Sequence, residues 1–143
     1  MECQSLNEVQ LPGIVVEHAE VEGDQLVILG RCAAATACCP TCQQSSGRVH
    51  SYRARILHDL ASLGLLMILR LRVRRFRCTH PDCSQRTFTE TLAPLAQRWA
   101  HRTDRLKASL HRIAMMLGRE PGARLAGRLA LPSSGTTLLC LLR

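Results

Sequence analysis

The chain has 143 residues, enough for one ordinary domain or two small ones, and its 46% hydrophobic content rules out wholesale disorder. Its 19 Lys and Arg outnumber 11 Asp and Glu, for a net charge of +8, and every basic residue except Lys107 is Arg. The longest apolar stretch, Leu63–Leu69, is too short for a membrane span, and MECQSLNEVQLPG lacks the basic and apolar regions of a secretory signal. A cytoplasmic, reducing setting is therefore expected, in which eight Cys favour a metal site over disulfides.

The charge is segregated. Residues 1–30 carry six acids (Glu2, Glu8, Glu17, Glu20, Glu22, Asp24) and no Lys or Arg, whereas residues 31–100 carry +8 and residues 101–143 carry +6. A field of that sign attracts polyanions, nucleic acid first among them. Only four aromatics, Tyr52, Phe76, Phe88 and Trp99, are present, too few for a broad base-stacking platform.

In chain order, the β-rich runs 14–21 and 25–32 flank Glu22-Gly23-Asp24 and predict a hairpin. The cluster Cys38-Cys39-Pro40-Thr41-Cys42 follows, then a strand over 48–57. The clearest strand is 65–77, where Leu69, Leu71 and Val73 alternate with Arg70, Arg72 and Arg74. A second cluster, Cys78-Thr79-His80-Pro81-Asp82-Cys83, precedes a connector over 84–100 that contains Pro94. Beyond Trp99 the period changes to about 3.6. Thr103 is placed to cap a helix with Leu106, Leu110, Ile113 and Leu117 on one face, ended by Gly118. Pro121 suits the first position of a second helix bearing Ala123, Leu125, Ala126 and Leu129, and Ser133 or Ser134 caps a third that runs to the C-terminus. The fold class expected is α+β: a small antiparallel, zinc-ribbon-like β domain over 1–97 and a three-helix, helix-turn-helix domain over 98–143.

Three groups of residues carry chemistry. Cys39-x2-Cys42, 35 intervening residues and Cys78-x4-Cys83 supply two thiolate pairs for one tetrahedral zinc ion. Cys38 competes with Cys39 for the first position, and His80 with a thiol in the second turn. Four thiolates leave no open coordination position, so the zinc is expected to be structural. Cys3, Cys32 and Cys140 read as ordinary small apolar residues, and His50 as a surface or hydrogen-bonded His. The arginine comb Arg70, Arg72 and Arg74 repeats at about 7 Å along one strand face, a spacing suited to phosphates. Arg75 and Arg77 add charge where the alternation is expected to slip at a bulge before Phe76. A merely solvated sheet face is the simpler alternative. In the helical part, Ser133, Ser134, Thr136 and Thr137 lie at the start of the last helix, placed for a major groove, with Arg119, Arg124 and Arg128 beside the DNA backbone. Packing alone would also explain three helices.

The order of motifs resembles the N-terminal part of bacterial insertion-sequence transposases of the ISL-three type. The matching pieces are LPGIVV, the Cys39-Pro40-Thr41-Cys42 knuckle, Arg48-Val49-His50-Ser51, HDLASLG, LRLRVRRFRC, the Cys83 knuckle with RTFTE, AQRWAHRTDRL, GARLAGRLALP and TLLCLLR, over roughly residues 11–143. The resemblance implies a zinc finger with ligands Cys39, Cys42, Cys78 and Cys83, then a helix-turn-helix, both binding the terminal inverted repeats of the transposon as double-stranded DNA. Cys140 departs from the family at a position often basic. The DDE catalytic region would begin where this sequence stops, and Asp59 (in a turn), Asp82, Asp104 and Glu120 offer no evident scaffold for Mg²⁺, so DNA cleavage is not expected of the chain alone. The alternative expectation is a protein-interaction adaptor, or a competitor or regulator of a full-length transposase, with that transposase or a second copy of this chain as partner and the acidic hairpin either presented for docking or folded onto the basic half.

Overall fold

The computed structural model describes residues 11–143, so Cys3, Glu2 and Glu8 lie outside the described residues. Strands β1 (Ile14–Glu22) and β2 (Gln25–Cys32) form the expected hairpin, turning at Gly23 with φ +63°. Two short strands, β3 (Ala37–Cys38) and β4 (Ser45–Ser46), frame the first Cys turn. The long strands β5 (Val49–Ser62) and β6 (Leu65–Arg77) follow, joined through Leu63-Gly64, both at positive φ. Two such residues in succession match the right-handed twist of a tight hairpin. The main sheet runs β1-β2-β6-β5, and β7 (Thr87–Thr89) pairs with β6 beyond the end of β2.

Two expectations change here. The sheet is mixed rather than antiparallel throughout, because β2 and β6 are parallel. Parallel neighbours need a long crossover, and residues 33–64, with the first Cys turn and β5, provide it. The connector over 84–100 is not a passive link either. It contains β7, and its Leu92, Leu95 and Ala96 close the main core over Leu26, Ile28, Leu57, Met67, Leu69, Leu71 and Val73. Gly30 is required at the hairpin, since a Cβ there would meet the Val15 carbonyl oxygen at 2.8 Å.

The helices are α1 (Asp104–Leu117), α2 (Arg119–Arg128) and α3 (Gly135–Leu141). Thr103 caps α1 by accepting from the Leu106 amide, and Gly118, at φ +70°, ends it. Leu106, Leu110, Ala114, Ala126, Leu131 and Leu138 form a second core. Ala114 takes the inward place expected for Leu117, which is exposed, as are Leu125 and Leu129. Pro121 is the third residue of α2 rather than the first, and Ser134 is the cap of α3, which stops short of the C-terminus. Gly122 lets α3 approach, since a Cβ would stand 2.9 Å from Leu138. A bulge in β5 between Asp59 and Ser62 turns Leu60 and Ala61 toward this helical core. No helix among the described residues is long and apolar enough to cross a membrane.

Asp59 is not in a turn. It lies on β5, fully buried, where its carboxylate accepts from the Thr103 hydroxyl at 2.6 Å, from Arg105 Nε at 2.7 Å and from the Leu60 amide at 2.8 Å. One carboxylate thereby fastens the capped start of α1 to the sheet.

Candidate metal centre and basic face

The two Cys turns meet at one end of the sheet. In the first, the Gln43 amide donates to the Cys39 carbonyl and the Cys39 amide to the Gln44 carbonyl, with Gln43 at φ +62°. In the second, the Cys83 amide donates to the His80 carbonyl. β6 delivers Cys78 directly, and the Ser46 hydroxyl holds the Arg77 carbonyl at 2.6 Å, tying the first turn to the strand that carries the second. Phe76 and Phe88, ring centroids 5.9 Å apart, pack with Cys39 and Cys83 beneath the site.

The sulfurs of Cys39, Cys42, Cys78 and Cys83 all lie within 4.8 Å of one another, with Cys39–Cys83 at 3.9 Å and Cys42–Cys78 at 3.5 Å. Sulfurs about 2.3 Å from a central tetrahedral ion stand about 3.8 Å apart, so the donor set fits zinc without rearrangement. Burial opposes ionisation of Cys39, but the Cys42 and Thr41 amides and the neighbouring thiols outweigh it, and its pKa falls to about 7. Cys78, despite the His80 amide, is pushed up to about 12 by burial and by the other three thiols. Four thiols crowded in this way favour a divalent cation that takes their protons' place. The four sulfurs form a site for one structural zinc ion. Cys38 is exposed and outside the cluster, and His80 Nδ1 accepts from the Asp82 amide, so neither substitutes as a ligand. Cys32 is a buried thiol raised by desolvation and by Glu90 to about 11, and Cys140 is exposed. His50 is exposed beside the Ser51 hydroxyl.

The arginine comb is divided by its partners. Arg70 and Arg72 are exposed on one face of β6, as the alternation predicts, but each meets an acid of β1. Glu22 accepts from both terminal nitrogens of Arg70 at 3.3 and 3.4 Å. Glu17, the extra residue at a bulge in β1, reaches Arg31 at 3.1 Å and Arg72 at 3.5 Å. The acidic hairpin is thus folded onto basic residues of its own chain. Arg74 belongs to the interior instead. It donates from side chain and backbone to the buried carboxylate of Glu90, and from its guanidinium to the Ala34 and Ala35 carbonyls. These hydrogen bonds raise its pKa above the ordinary value against the opposing effect of burial, and leave it few donors for a phosphate.

The expected slip before Phe76 is not in β6. The bulge lies opposite, at His50 of β5, and β6 keeps its alternation. Phe76 shares the face of Arg74, whose guanidinium stands 4.9 Å from its ring, and is buried because the zinc turns cover that face here. Arg75 and Arg77 therefore lie on the opposite face from Arg70 and Arg72. On the helices, Arg124 and Arg128 are exposed, with no ion pair among the described residues, while Arg119 pairs with Glu120. The hydroxyls of Ser134 and Thr137 bond each other in the α3 cap, Ser133 faces the Ser134 carbonyl, and Thr136 is exposed. The sequence shows the charges of Glu17, Arg31 and Glu90 but not their partners, because only the sheet order brings them beside β6.

Residues 35–83 match the family described as the zinc-finger of transposase IS204/IS1001/IS1096/IS1165. The matched segment includes all four ligands. No curated protein and no solved structure matches the chain.

Proposed function

We propose that this chain is a DNA-binding part of a transposase, which recognises the terminal inverted repeats of a mobile element in DNA recombination. The observation that carries the reading is the four-cysteine centre, lying in the segment that matches a transposase zinc-finger family and built onto the end of an arginine-bearing strand. Arg70, Arg72 and Arg31 on one face, with Arg75 and Arg77 on the other side of β6, supply phosphate contacts that position DNA without reading it. The three helices act as the helix-turn-helix, with Thr136 turned outward at the start of α3 and Arg124 and Arg128 along the backbone. The work is done on the bacterial nucleoid in the cytoplasm, and the chain binds without cutting. A mobility shift of the zinc-loaded chain on duplex DNA tests this. Binding should fall steeply with salt, and Arg70→Ala with Arg72→Ala should weaken it on every sequence alike. Salt-insensitive binding, or strand cleavage in Mg²⁺, overturns it.

A second reading, competition with a full-length transposase or self-association, is favoured by the apolar surface of the helices, where Met115 and Met116 are exposed beside Leu117. Co-purification with a full-length relative tests that reading.

A further inference from the structure

A hollow of about 220 Å³ opens between the first Cys turn and the segment that enters α1. Val73 and Arg53 line it from the sheet, Thr89–Leu92 forms one wall and Gln97–Trp99 another. It is smaller than the pockets that enclose drug-sized ligands, and has room for one flat ring system. Trp99 is its conspicuous member. Trp99 is 76% exposed, and its backbone sits at φ +65°, a left-handed conformation that bulky side chains rarely adopt. That conformation belongs to a tight turn in which the Ala100 amide donates to the Gln97 carbonyl at 3.2 Å, and the turn holds Trp99 out beside the hollow. The guanidinium of Arg98 stands 5.2 Å from the indole centroid. Arg53 and Arg98 are exposed and carry no ion pair among the described residues, while Glu90, the one acid in the lining, is already held by Arg74. The hollow is thus aromatic, partly apolar and positively charged, the complement of a nucleobase with a phosphate on each side.

We infer that this hollow receives a single unstacked base of bound DNA, with Trp99 as the stacking surface and Arg98 and Arg53 against the flanking phosphates. The inference rests on the DNA-binding reading and deepens it: the preferred substrate is a duplex with a base already free to leave the stack, because extrusion then costs least. One such site is compatible with so few aromatics, since it needs a single ring at a single place.

Trp99 is the only Trp in the chain, so its fluorescence reports on this hollow alone. The zinc-loaded chain is titrated with a blunt duplex, with the same duplex carrying one unpaired thymidine, and with single-stranded oligothymidine, while anisotropy of labelled DNA follows binding independently. The unpaired base should quench the indole and bind about five- to a hundredfold more tightly than the blunt duplex. Trp99→Leu should abolish that preference and leave blunt-duplex affinity unchanged, and Trp99→Phe should retain part of it. Zinc content and circular dichroism establish that both variants fold. Binding of all three DNAs with no selective quenching, or a preference that survives Trp99→Leu, overturns the base site and leaves the DNA-binding reading intact. Quenching by an apolar peptide but by no DNA assigns the hollow to a protein and likewise overturns it. Failure to bind any DNA removes both.

Discussion

Replacing Glu17 by Gln removes the carboxylate shared by Arg31 and Arg72 while keeping the size and bulged backbone of β1. The side chains of the Glu17–Arg72 pair are 42% and 58% exposed, so the loss to folding falls in the range of about 0–1 kcal/mol for surface pairs. The effect on DNA is of opposite sign. A phosphate bound at these arginines lies about 5 Å from the Glu17 charge, and in water that repulsion is about 0.8 kcal/mol, roughly a fourfold change in affinity. Two guanidinium groups released to phosphate should also steepen the dependence of binding on salt by about one to two units in the logarithmic slope. Fluorescence anisotropy on a labelled duplex across a series of KCl concentrations measures both quantities. Glu17→Gln should bind about fourfold more tightly at low salt with a steeper slope, and adding Arg72→Ala should cancel most of the gain. An affinity equal to the parent's at every salt concentration refutes the reasoning, because the paired arginines would then not be the ones that meet DNA.

Other outcomes follow from the same geometry. Asp59→Ala leaves Thr103 and Arg105 without their shared acceptor; since the Arg105 side chain is 42% exposed and can turn to water, the cost belongs at the lower end for a broken buried pair, about 3 kcal/mol, measured by urea unfolding. Asp59→Asn keeps an acceptor for Thr103 and should cost roughly half as much. Chelation of zinc, or Cys39→Ser, should release the metal measured by elemental analysis and loosen the backbone around the already exposed Arg48, Arg77 and Arg86 so that trypsin cleaves there, while helical circular dichroism persists because the helical core lies apart from the centre. Burial, then the charges of Arg102 and His101, lower the pKa of His58 below its ordinary 6.5, so the folded chain resists a proton that the unfolded chain accepts. Stability should be complete above about pH 6.5 and fall as the pH drops below it, and His58→Gln should flatten that decline in thermal melts.

The zinc ligands were legible because metal chemistry is local: two thiols across a short turn must converge, and two such pairs suffice for a tetrahedron. Whether Cys38 or His80 took part was not legible, since spacing alone allows either. Both limits of α1 could be read from Thr103 and Gly118, and the start of α3 to within one residue at Ser133 or Ser134, because caps act on the nearest turn. Their inward faces were less clear. In α1 more apolar residues lie near the inward face than there are buried places, and packing chose Ala114 over Leu117.

For β6, periodicity alone determined that Arg70, Arg72 and Arg74 share a face and that Leu69, Leu71 and Val73 share the other. It could not determine what covers each face. Only the sheet order, with β1 at its edge and β7 beside the end of β6, set Glu17 and Glu22 against two of the arginines and buried the third against Glu90. The physical reason is range. Ligand spacing, caps and strand alternation are properties of a few neighbouring residues, whereas the partner of a charge depends on which distant strand the chain lays beside it.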